Sequence, residues 1–85
     1  MSSRALVRQV WLAGEEVPTL PGSEWRCDHD GRLMNFADFL KPSSPFGWAA
    51  VTGPRSGALE PLNFETLYLR LPAAWREASP RRSLR

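Results

Sequence analysis

The chain has 85 residues, a formal charge of +2 and one cysteine, Cys27. That length makes one domain at most, expected over 1–85 with residues 1–4 and 80–85 as frayed tails, and it buries only roughly 60–65% of the unfolded chain's surface. A core this thin leaves little room for the several-hundred-Å³ cavity that a small-molecule enzyme uses. The lone cysteine excludes an intramolecular disulfide and fits a reducing, cytoplasmic setting.

No apolar run approaches the roughly 18 residues of a membrane helix. Residues 5–13, Ala-Leu-Val-Arg-Gln-Val-Trp-Leu-Ala, read as a strand from their β-branched residues and Trp11. Arg4 and Arg8 at helical spacing keep a short helix as the alternative. The same first fourteen residues lack acids, as a mitochondrial presequence does, but serine is sparse and the stretch is short. Pro18, Pro21 and two glycines make 14–23 a loop.

Glu24 to Asp28 and Arg32 to Phe36 are expected to pair as a hairpin. Asp30-Gly31 is its turn, because Gly accepts the positive φ that a tight turn demands. Ala37 to Leu40 suits one helical turn, residues 41–45 a loop, and Phe46 to Thr52 a third apolar strand. The prolines and glycines of 53–61 read as another loop. Asn63 is placed to cap a helix from Phe64, with Glu65 near its positive end. The alternation of Leu67, Leu69 and Leu71 keeps a strand as the alternative there. Pro72 stops that element and suits the first turn of a second short helix holding Trp75. The expected fold is α+β: a small antiparallel sheet of about three strands with one or two short C-terminal helices.

The chemistry of known catalytic motifs is missing. Cys27-Asp28-His29-Asp30 tempts as a metal site, but structural zinc takes four ligands, and this chain has one Cys and one His. Cys27 and His29 on one strand face lie about 6.5–7 Å apart along the backbone, too far for a nucleophile and its base. Gly53 and Gly57 are not followed by the Lys-Ser or Lys-Thr of a phosphate loop. The chain is therefore read as a non-enzyme with no cofactor and no metal.

What remains is binding. Four Trp, four Phe and one Tyr are many aromatics for so short a chain, and Trp is enriched at interface hot spots. Phe36, Trp48 and Trp75 are the candidate partner-binding residues. Arg76, Arg81, Arg82 and Arg85 crowd the C-terminus, either as a solvated tail or as phosphate contacts.

The second half, roughly residues 25–85, resembles MbtH-like proteins, small accessory proteins of nonribosomal peptide synthetase adenylation domains. The residues that carry the resemblance are the turn Asp28-His29-Asp30-Gly31, the following Arg32 to Phe39, Gly47-Trp48 with Val51-Thr52-Gly53-Pro54, and Trp75 ahead of Pro80, Ser83 and Leu84. The family's Ser-Leu-Trp-Pro core is replaced by Met34-Asn35-Phe36-Ala37, Pro72 interrupts its single helix, and residues 1–24 have no counterpart. The resemblance implies an activator that binds an adenylation domain, with Phe36 and Trp48 where the family frames a cleft with two Trp rings. A second, weaker likeness links Leu20-Pro21-Gly22 and Asp30-Gly31-Arg32-Leu33 to a DNA-contacting module found beside HNH homing endonucleases. Its implication is binding alone, since the HNH histidines are missing. Three functions stay open: a modulator of a larger protein, a phage- or plasmid-type inhibitor of a host protein, and a nucleic-acid binder using the arginine-rich tail.

Overall fold

The computed structural model describes residues 3–53, 57–72 and 74. In chain order they form α1 (Ser3–Trp11), β1 (Glu15–Glu16), β2 (Trp25–Cys27), β3 (Leu33–Asn35), a 3₁₀ turn (Phe36–Asp38), β4 (Trp48–Thr52), β5 (Leu59–Asn63) and α2 (Phe64–Leu69). The fold is α+β with antiparallel pairing throughout its ladders.

Residues 5–13 are helical for most of their length, not a strand. Val7, Val10 and Trp11 recur at helical spacing and turn one stripe onto the core, while Arg4 and Arg8 lie on the exposed side. Tertiary burial of that stripe outweighs the β-propensity of two valines. The helix closes with Ala13 and Gly14 donating N–H bonds to the carbonyls of Val10 and Trp11.

The hairpin forms as the Asp30-Gly31 signal implies. Arg26 faces Met34, and Gly31 sits at φ 86. Asp28 organises this turn from inside. Its buried carboxylate accepts the N–H groups of Asp30 (3.0 Å) and Arg32 (2.9 Å) through one oxygen, and that of Asn63 (3.1 Å) through the other. Three amide donors satisfy a charge that burial would otherwise make costly.

The strands do not form one sheet. Glu15–Glu16, expected in a loop, adds a third strand beside β2, giving the order β1-β2-β3. The apolar strand β4 pairs instead with β5, so that Ala50 faces Pro61. Residues 59–61 therefore belong to a strand, not to the expected loop. Pro61 is tolerated because a two-stranded ladder has an outer edge where its missing N–H leaves no partner stranded.

Asn63 joins the two sheets. Its carboxamide donates to the carbonyls of Leu33 (2.9 Å) and Pro45 (3.0 Å), while its oxygen accepts the Glu65 N–H (2.7 Å). The last bond is the N-cap of α2, so residues 64–69 are helix and not the alternating strand. The proposed second helix after Pro72 lies outside the described residues. Among the described residues no helix is long and apolar enough to cross a membrane.

Candidate functional site

The core is a stack of aromatic rings. Trp48 has no exposed surface, and its ring centroid lies 4.7 Å from Phe39, 5.0 Å from Trp11 and 6.2 Å from Phe36. Its indole N–H points at the Phe36 carbonyl (3.4 Å), and that of Trp11 donates to Gly22 (2.9 Å). The expectation of Trp48 as a partner-facing residue is thus corrected: it opens β4 on the side facing α1 and is sealed there. Phe36 differs. It is half-buried, set edge-on to Trp11 at 5.5 Å, with the Arg8 guanidinium 5.5 Å above its ring. Trp75, Arg76, Arg81, Arg82 and Arg85 lie outside the described residues.

The chain then makes an unusual reversal. Phe39 bridges in parallel to Trp48, the Leu40 N–H donates to the Trp48 carbonyl at 2.8 Å, and the Lys41 N–H donates to Asp38 at 3.1 Å. Held between these bonds, Leu40 adopts φ 60. It is the only described non-glycine residue with positive φ, and its side chain is 60% exposed. A left-handed backbone is unfavourable for a side chain like leucine's, so surrounding structure must impose it. Part of that structure is Gly47, where an added Cβ would run into the Lys41 carbonyl. The Gly-Trp pair thus has a packing reason: glycine lets loop 41–47 close tightly, and Trp48 fills the core. Phe36 and Phe39 pack on the aromatic core, Arg8 lies over Phe36, and the exposed Leu40 directly follows Phe39 in the chain. Sequence reasoning named Phe36 as a candidate and did not name Leu40 or Arg8, since nothing in a leucine signals positive φ.

A second feature lies between the hairpin and α2. An open groove of about 270 Å³ is lined by Arg32, Leu33, Pro45, Phe46, Asn63 and Glu65. Trp25 stands behind it, edge-on to Phe46 at 5.2 Å. The pleat of β2 and β3 places Trp25, Cys27, Leu33 and Asn35 on the half-buried side, opposite the buried Arg26 and Met34. The burial of Arg26 in place of Trp25 runs against side-chain polarity, and the groove also needs the junction of β5 and α2.

The reactive-looking cluster is dispersed. His29 lies between Glu15, 3.2 Å from Nδ1, and Glu60, 3.6 Å from Nε2, so the two carboxylates flank the ring from different sides and do not converge. Among the described residues no group of three His, Cys, Asp or Glu side chains could hold a metal ion. Burial, helped by the charges of Asp28 and Glu15, pushes the Cys27 thiol up from its ordinary range. This is the opposite of what a nucleophilic cysteine needs.

Compared with protein-family models, curated proteins and solved structures, the chain matches none.

Proposed function

We propose that this chain is a non-catalytic module that binds and modulates a larger protein through the face formed by Arg8, Phe36, Phe39 and Leu40. The observation that carries the reading is Leu40: a large apolar side chain, mostly in solvent, on a backbone that glycine would adopt at less cost. Aromatic rings and an arginine beside it have the composition of interface hot spots. The resemblance to MbtH-like proteins makes an adenylation domain the first partner to try. Because Trp48 is sealed, contact through this face would use Phe36 and Leu40, not a cleft between two rings.

Charge favours a protein over nucleic acid. Over the full chain 11 Lys and Arg stand against 9 Asp and Glu, a formal charge of only +2. A phosphate-tracking surface carries a stronger basic excess than that. The test is co-purification followed by titration of the recovered partner, with an adenylation domain run in parallel. The reading expects binding that salt weakens little and that Leu40→Gly weakens strongly. Affinity for DNA or RNA that falls steeply with salt, with no protein partner recovered, would overturn it.

A further inference from the structure

We infer that the groove between the hairpin and α2 receives an extended segment of the partner protein in which a carboxylate side chain stands beside an apolar one. This deepens the protein-binding reading and rests on it. Arg32 opens the argument. Among the described residues its polar partners, the Thr66 hydroxyl at 3.1 Å and Asp30 at 3.9 Å, both engage Nη1. The edge formed by Nη2 and Nε makes no hydrogen bond or ion pair with the described residues, and the side chain is 37% exposed. Two parallel N–H donors on a fixed planar fork match a carboxylate bidentately.

The Thr66 contact holds that fork in place. Thr66 is fully buried in α2, which the Asn63 cap locks to β3 and to Pro45. Beside Arg32 the groove wall is apolar, formed by Leu33, Pro45 and Phe46. Glu65 lines the groove as well and carries the opposite charge, so the carboxylate must sit at the Arg32 end and the apolar side chain on Phe46 and Pro45. The groove is partly open to solvent, which suits a stretch of extended chain better than a free small molecule, since small ligands need most of their surface enclosed.

The experiment uses the full, isotope-labelled chain and a blocked peptide pool, acetylated and amidated, with Glu next to Leu, Phe, Tyr or Pro. A matched pool carries Gln in place of Glu. The Glu pool should shift the backbone amide resonances of Arg32, Leu33, Phe46 and Asn63, and the Gln pool should bind about tenfold more weakly. Arg32→Lys should lose most of that preference while keeping the fold's spectrum, because lysine keeps the charge and lacks the fork. Equal binding of the two pools, or an undiminished preference in Arg32→Lys, overturns the inference. Shifts of the same resonances with protein concentration alone assign the groove to a second copy of the chain and overturn it too. Peptide binding with no protein partner ever recovered would leave the groove standing and remove the wider reading, so the two failures are distinguishable.

Discussion

Leu40 and Trp48 touch through one backbone bond yet should answer mutation in opposite ways. Leu40→Gly relieves a left-handed backbone worth about 1 kcal/mol and gives up a similar amount of partly buried apolar surface, so the melting temperature should stay within a few degrees of wild type. Trp48→Ala empties the centre of the ring stack and should cost roughly 3–5 kcal/mol, read by denaturant unfolding. A Leu40→Gly protein that unfolds like Trp48→Ala would show that the side chain is structural after all. Cys27 makes a pH prediction. Its thiol is raised by burial first and then by Asp28 and Glu15, so alkylation by iodoacetamide near pH 8 should run slower than for a free thiol and speed up as pH rises. The sign for stability follows: folding favours the protonated thiol, a contribution complete below the ordinary thiol range and lost as pH climbs through the raised value. Cys27→Ser should be mild in its effect and should remove that part of the alkaline decline in melting temperature.

Among the elements, the joint at Asn63 carries the most. One carboxamide caps α2 and holds two carbonyls from β3 and the loop before β4. Asn63→Ala should destabilise by roughly 2–4 kcal/mol, because it removes a cap and leaves polar groups without partners. The comparison variant Asn63→Asp retains the cap oxygen but turns a second acceptor on the Leu33 and Pro45 carbonyls close to Asp28, so chemical unfolding should show it at least as destabilised as Asn63→Ala. Gly47→Ala should be severe for a different reason, since its Cβ meets backbone and not a movable side chain. The cap of α2 was legible from Asn63 and Glu65, and so was the hairpin from Asp30-Gly31, because each rests on local chemistry between near neighbours. The helix at α1 was present in the spacing of Val7, Val10 and Trp11 but was masked by valine's preference for strands. Strand β5 was hidden by Pro61, which reads as a breaker until its place on an outer edge is known. Which sheet β4 would join depends on contacts far apart in sequence, where local pattern carries no information.

For the whole molecule, the same limit governs the candidate site. Phe36 was picked out as an aromatic on the expected returning strand, but aromatic content alone did not separate the sealed Trp48 from the half-buried Phe36. Burial is decided by the packing of α1 over β4 and β5, and that follows from the assembled chain. The distinction now matters for function. Trp11, Trp48 and Met34 form the core that Phe36 and Phe39 pack against, and the proposed surface adds Arg8 over Phe36 and the exposed Leu40. Calorimetric titration of the partner with wild-type and Leu40→Gly protein, both verified as folded, tests this division most directly. Loss of about 2 kcal/mol of binding free energy, roughly thirtyfold in affinity, at an unchanged melting temperature is the expected result. Equal affinities for the two proteins would contradict the assignment of this face to partner binding.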